Sequence, residues 1–275
     1  MKHPNPEGIR PPPRPVSGVK HVLAVASGKG GVGKTTVTVN LALALSQAGA
    51  RVGIFDADIY GPNVPVMLGL SRTKPSEGLL TVGRVENKPY IEPLERYGLR
   101  VMSVGLLVAE NETVSPDPNF AGLIVTRTMQ DVLWGDLDYL LLDLPPGTGE
   151  PQGSILQRIR VDGAVVVTTP QDLSLLDAGR SLGFFHKAKV PILGVVENMS
   201  YMVCPECGKA VEVFHRSERQ WPPEYGEVEL LGRIPMNIDI SKGIDSGHPL
   251  LQTSHDTAET RIFLDIAGRL QEKLT

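Results

Sequence analysis

Apolar residues fall in short runs, and most of these runs are separated by stretches with helical spacing. Residues 22–26, Val-Leu-Ala-Val-Ala, form an unbroken apolar run that stops at a glycine-rich loop, as a strand buried on both faces does. From Thr35 the apolar positions Val39, Ala42, Leu43 and Leu45 repeat at helical spacing as far as Ala48, and Gly49 is the stop signal. Residues 51–55 predict the next strand, which runs into Asp56-Ala57-Asp58. Further strands are predicted at 99–104, 139–142, 163–168, 192–197 and 229–231, and helices at 120–134, 152–158, 173–187 and 257–274. The last helix gathers Ile262, Phe263, Ile266, Leu270 and Leu274 on one face. Between 60 and 98 proline and glycine interrupt the pattern, and short alternating runs near 79–82 and 89–94 predict a small antiparallel excursion. Strands alternating with helices make an α/β fold, with a doubly wound, mostly parallel sheet flanked by helices.

Composition narrows the class. No apolar run approaches the roughly 18 residues that cross a bilayer, and residues 1–15, rich in proline and charge, lack the apolar segment of a signal peptide. The expectation is a cytoplasmic protein with no membrane partner, made of a flexible arm at 1–19 and a single domain at 20–275. A net charge of −4 argues against a broad nucleic-acid face. The chain has two cysteines, Cys204 and Cys207, in one C-x-x-C, which excludes a disulfide framework. Metal binding, redox chemistry and no role at all remain open for them.

The chemistry concentrates in Gly28-Lys29-Gly30-Gly31-Val32-Gly33-Lys34-Thr35, which matches G-x-x-x-x-G-K-[ST] after an apolar strand and before a helix. Glycines let backbone N–H groups converge on phosphate oxygens, and the helix N-terminus favours the same negative charge. The expected ligand is ATP with Mg²⁺, held by residues 28–35 together with Thr36. Lys34 is expected on the β- and γ-phosphates and the Thr35 hydroxyl on the metal. Asp143 ends an apolar run and opens Asp-Leu-Pro-Pro-Gly, the place of an acid that holds the Mg²⁺ shell ahead of a loop able to sense the γ-phosphate. Asp56 and Asp58 end the neighbouring strand. Strict alternation would aim both carboxylates the same way, and Asp56 is expected as a support near the metal.

Lys29 in Lys-Gly-Gly-Val-Gly-Lys-Thr resembles the second lysine of the deviant Walker A loop in the MinD/ParA/nitrogenase-iron-protein class. That resemblance implies a dimer in which Lys29 reaches the partner's nucleotide and Asp58 orients water. The segment Val195-Val-Glu-Asn-Met-Ser-Tyr-Met-Val-Cys-Pro-Glu-Cys-Gly208, with the motifs at 56–65 and 143–149, resembles the Mrp (ApbC) family of iron–sulphur carrier ATPases, from about Lys20 to the C-terminus. The resemblance implies that Asn198 contacts adenine and that Cys204 and Cys207 join the same pair of a second subunit around a bridging [4Fe–4S] cluster. It also implies a homodimer, a cluster donor, apo client proteins and slow ATP hydrolysis. The chain departs from the family pattern at Asn119-Phe-Ala-Gly122 and across 214–226, where His215 reads as a solvated loop histidine ahead of an extra metal ligand, since nothing else in the sequence places it near the thiols.

Other readings stand beside this one. Cys-Pro-Glu-Cys-Gly equally suits half a zinc site, in a zinc-stabilised regulatory ATPase. A dithiol redox centre usually opens a helix of a thioredoxin-like unit, which is not the context here. A positioning ATPase of the ParA/MinD type would bind DNA or membrane. The acidic charge argues against DNA, and the last helix, with Arg269 and Lys273 behind its apolar face, suits a core helix better than a membrane anchor.

Overall fold

The computed structural model describes residues 12–59, 61–70, 82–85, 88–107, 118–204, 206–214, 221, 225, 227–254 and 256–275. In chain order these hold β1 (Val19–Ala26), α1 (Lys34–Gln47), β2 (Val52–Asp56), α2 (Val64–Met67), β3 (Val82–Val85), β4 (Lys88–Ile91), β5 (Leu94–Arg96), β6 (Leu99–Ser103) and α3 (Pro118–Asp131). There follow β7 (Leu137–Asp143), α4 (Glu150–Leu156), β8 (Gly163–Thr168), α5 (Asp172–Lys187), β9 (Ile192–Glu197), β10 (Met202–Val203) and β11 (Ala210–Val211). The chain ends with β12 (Leu230–Arg233), α6 (Ile238–Asp245), α7 (Leu250–Thr253) and α8 (Ala258–Leu274). An eight-stranded sheet runs in the order β12-β9-β8-β1-β7-β2-β6-β5. Every pairing in it is parallel except β5 on β6 at the edge.

β1 lies inside the sheet, and this explains its unbroken apolar run. Leu23 and Val25 enter one core cluster with Val37 and Leu41 of α1 and Phe263, Ile266 and Leu270 of α8. Val22, Ala24 and Ala26 enter the opposite cluster with Val125 and Met129 of α3 and Leu182 and Phe185 of α5. Over residues 22–26 neither face of β1 meets water, so neither needs polar residues there. The expected doubly wound α/β sheet is therefore present, with helices over both faces.

The differences from expectation are local. The helix expected at 120–134 begins earlier and ends at Asp131; there the chain turns to pair with β4, Leu133 donating its N–H to the Ile91 carbonyl at 2.9 Å. The excursion is the antiparallel hairpin β3–β4, and residues 79–81 lie outside the described ones. Part of the stretch expected to be a flexible arm is tied down: Arg14 makes backbone hydrogen bonds of 2.8 Å to Arg158 and Arg160, and Val16 is only 4% exposed. Among the described residues no helix is long and apolar enough to cross a membrane.

Candidate functional site

The loop between β1 and α1 has a shape that two of its glycines make possible. Gly33 caps α1 with φ 82°, in the left-handed region, and a Cβ there would stand 2.2 Å from the Asn198 amide nitrogen. A Cβ on Gly28 would stand 2.1 Å from the Asp177 carbonyl oxygen of α5. By contrast, no atom lies within 4 Å of the place a Cβ would take on Gly30 or Gly31. The loop is thus braced from behind and open in front, a backbone cradle at a helix N-terminus that fits a phosphate chain. The Ser27 hydroxyl braces it further by donating to the Lys29 carbonyl at 2.9 Å.

Lys34, Thr35 and Asp143 meet at the C-terminal ends of β1 and β7. The Lys34 ammonium lies 2.8 Å from Asp143 Oδ2, the two side chains being 7% and 1% exposed. The Thr35 hydroxyl donates to the same oxygen at 2.7 Å, and the Thr38 hydroxyl lies 2.7 Å from Oδ1. A carboxylate and hydroxyl oxygens are donors suited to a hard divalent cation such as Mg²⁺. Thr38 was not singled out in the sequence; its signal is its place one helical turn after Thr35.

Asp56 sits beside Asp143 in register across β2 and β7 and is fully buried. Its Oδ1 accepts the Asp58 N–H at 3.1 Å; its Oδ2 accepts the Val64 N–H at 3.1 Å and the Ser103 hydroxyl at 3.2 Å. Burial first, and then the Asp143 charge, push its pKa up to about 7, against the opposing pull of Lys34 and the two N–H groups. The folded chain therefore holds this proton more tightly than the unfolded one. Asp56 consequently weakens the fold as pH rises from about 4 to about 7, and adds no further change above that. In thermal melts without nucleotide, the stability of wild type relative to Asp56→Asn is expected to fall between pH 5 and pH 8. A difference independent of pH contradicts this.

Asp58 lies beyond the end of β2, half-buried, with Oδ1 accepting the Gly61 N–H at 3.2 Å. Strict alternation is broken here, because the turn held by the Asp56 carboxylate takes Asp58 out of the strand. Lys29 and Thr36 are half-buried on the loop and the first turn of α1. Val32 is buried, and its carbonyl accepts the Asn198 side-chain N–H at 2.9 Å. Gln152 of α4, also not anticipated, donates its amide to the Pro145 carbonyl and so anchors the loop after β7.

The cysteines occupy the hairpin β10–β11. Cys204 donates its N–H to the Lys209 carbonyl, and Gly208, with φ 71°, donates to the Cys204 carbonyl, each at 2.9 Å. The backbone N–H groups of Cys207 and Glu206, and then the Cys207 thiol, bond the Cys204 sulfur and lower its pKa below the usual thiol value. A sulfur that receives N–H groups is prepared to be a thiolate ligand. Cys207 is exposed and Cys204 partly so. On the hairpin and beside it Met202, Val203, Val211, Val213 and Met236 are exposed apolar residues. Among the described residues no group of three or more His, Cys, Asp or Glu is gathered to hold a metal. His215 lies outside the described residues, as does most of 215–226.

A glycine cradle between a buried parallel strand and a helix, with a lysine, a threonine and a strand-end aspartate converging on it, defines a P-loop NTPase. The model of the family described as ParA: NUBPL iron-transfer P-loop NTPase matches residues 18–271, and the chain belongs to that family. It is similar to the iron-sulfur cluster carrier protein of Salmonella typhimurium, 41% identical over 259 residues covering 94% of this chain and 68% of the relative. A protein of the same name in Methanocaldococcus jannaschii is 42% identical over 262 residues, covering 94% of this chain and 87% of that one. Among solved structures it is similar to a nucleotide-binding protein from Archaeoglobus fulgidus, in complex with ADP and with cobalt found. The TM-score is 0.72 at 33% identity, over 89% of this chain and 92% of that chain.

Proposed function

We propose that this protein is an ATP-dependent carrier of iron–sulphur clusters. Two copies face each other across bound nucleotide, and each contributes Cys204 and Cys207 to a [4Fe–4S] cluster held as cargo at the seam. The cluster arrives from a donor protein and leaves to apo client proteins. The observation that carries this reading is the half-site: two thiols on a prepared, exposed knuckle, with no third ligand beside them among the described residues. A cluster or a structural zinc takes four ligands, and a two-fold axis supplies the missing pair. The apolar residues around the hairpin suit burial against a second copy. The names of the relatives and the cobalt in the ADP-bound neighbour support metal cargo.

In this reading residues 20–275 act as one nucleotide-switched unit in the cytoplasm, with no call on nucleic acid or membrane. The backbone of residues 28–33, with Lys34, Thr35 and Thr36, binds the phosphates; Thr35 and Asp143 hold Mg²⁺ with Asp56 behind them. Asn198 lies beside adenine, Lys29 reaches the partner's nucleotide and Asp58 orients the attacking water. Hydrolysis is slow, because a carrier uses the nucleotide to switch between grip and release rather than for turnover.

The test is transfer. Protein loaded anaerobically with iron and sulphide is expected to show a broad brown absorbance, lose it on mixing with an apo-protein that needs a [4Fe–4S] cluster, and restore that acceptor's activity. A loaded protein that never passes its cluster on rejects the carrier reading. The knuckle fits zinc equally well, so protein purified colourless, holding zinc that iron does not displace, establishes the structural-zinc reading in its place.

A further inference from the structure

The nucleotide loop and the cysteine hairpin are joined by a short run of chain and a single guanidinium. β9 ends at Glu197, and the next residue, Asn198, bonds the Val32 carbonyl inside the loop. Met199 follows with φ 53°, its methyl 3.8 Å from where a Gly33 Cβ would stand. The chain then passes through Ser200 and Tyr201 into β10 and Cys204. Arg233, at the end of β12 and in register with Glu197, spans this run. Its Nε lies 3.0 Å from Glu197 Oε1 and 2.8 Å from the Ser200 hydroxyl oxygen. Its Nη2 lies 3.7 Å from Glu212 Oε1, just past β11. The guanidinium carbon stands 5.7 Å from the centroid of the Tyr201 ring.

The two acids hold the arginine unequally. The Glu197 side chain is 7% exposed, whereas that of Glu212 is 61% exposed. A buried carboxylate cannot part from its cation cheaply, while an exposed pair is weak and screened by salt. Arg233 is therefore fastened to the nucleotide side and lightly attached to the hairpin side. We infer that Arg233 is a positioning residue that couples the two sites: a shift of residues 197–200 when nucleotide engages the loop moves its guanidinium, and with it the hairpin bearing Cys204 and Cys207. Linkage makes the coupling reciprocal, so occupancy of the thiols changes nucleotide affinity by the same factor. A lysine cannot reproduce it fully, because one ammonium lacks the planar fork that reaches Glu197, Ser200 and Glu212 at once. The inference rests on the nucleotide and metal roles proposed above.

The experiment needs no cluster. The rate at which an aromatic disulfide reagent consumes the Cys204 and Cys207 thiols is measured with and without Mg²⁺–ATP, alongside nucleotide affinity. In wild type the rate is expected to change by about fivefold or more with nucleotide. In Arg233→Gln the change is expected to shrink below about twofold while nucleotide affinity stays within about threefold of wild type, with Arg233→Lys intermediate. Glu212→Gln leaves the buried pair intact, so it tests the hairpin half of the link even where Arg233→Gln fails to fold; it is expected to cut the response while the melting temperature holds. Undiminished responses in Arg233→Gln or Glu212→Gln overturn the inference. Wild type that binds nucleotide with unchanged thiol rates overturns it alone, whereas wild type that binds no nucleotide overturns the nucleotide reading as well.

Discussion

Replacing Lys34 with alanine is expected to abolish measurable ATP binding and, in the same protein, to lower the stability of the fold by about 3–5 kcal/mol. The two effects have one cause. The ammonium proposed to meet the phosphates is also the cation paired with the buried Asp143 carboxylate at 2.8 Å. Without it Asp143 keeps the hydroxyls of Thr35 and Thr38 but no opposite charge, in a place where water cannot screen it. Asp56 modulates the cost. The Lys34 charge is one of the influences that hold its pKa down, so in Lys34→Ala Asp56 keeps its proton to higher pH and spares the site a second negative charge. The destabilisation is accordingly expected to be smaller at pH 5.5 than at pH 8. The double variant Lys34→Ala, Asp143→Ala separates the two consequences. Removing both partners of a buried pair costs less than removing one, so stability is expected to recover in part while nucleotide binding does not. Urea denaturation and titration with a fluorescent ATP analogue read the two quantities independently. ATP affinity in Lys34→Ala within tenfold of wild type contradicts the phosphate role.

Legibility in the sequence followed how far backbone geometry restricts the residue. At Gly28 and Gly33 any side chain collides with Asp177 or Asn198, so the phosphate loop announces itself in letters. The strands inside the sheet were legible for a similar reason: burial on both faces of β8 and β9 leaves 163–167 and 192–196 free of polar side chains. Elements too short to show a period were not. α2 and α7 have four residues each and β10 and β11 two each, so neither a 3.6 nor a 2.0 repeat can declare itself. The stretch of α6 and α7, interrupted by glycine and proline, carried no expectation at all.

The side chains that complete the site were hidden for another reason. Thr38, Ser103 and Gln152 are common residues in common positions, and only tertiary contact gives them their roles: Thr38 on Asp143, Ser103 on Asp56, Gln152 on the Pro145 carbonyl. Arg233 belongs with them, since its partners at 197, 200 and 212 come together only once β12 lies beside β9. Asp56 and Asp58 show the limit from the other side. Two-residue alternation aimed both carboxylates the same way, yet one is a fully buried acid bracketing a turn and the other a half-buried acid on a loop. A turn begun by a side chain accepting a backbone N–H overrides alternation.

Removing the Cys207 thiol is expected to have the opposite character to the Lys34 change: complete loss of metal cargo with the fold untouched. Cys207 is exposed at the tip of the hairpin, away from both core clusters, so Cys207→Ala is expected to melt within about 2 °C of wild type. Nucleotide affinity is expected to hold too, because the side chains at the phosphate loop are untouched. The cargo site has no such reserve. In the proposed dimer the substitution takes two of four thiolates from the cluster, and the pair that remains cannot close a four-ligand shell. Iron, sulphide and the brown absorbance are expected to be lost together, as is the thiolate–metal absorbance with Co²⁺. The backbone N–H of residue 207 survives the substitution, so Cys204 keeps the first of the hydrogen bonds that lower its pKa. It is expected to remain a reactive thiol toward a disulfide reagent, which separates loss of a ligand from collapse of the hairpin. Cys207→Ala that retains the full wild-type complement of iron and sulphide places the cluster elsewhere, and the two-fold cargo site is then wrong whatever the phosphate loop binds.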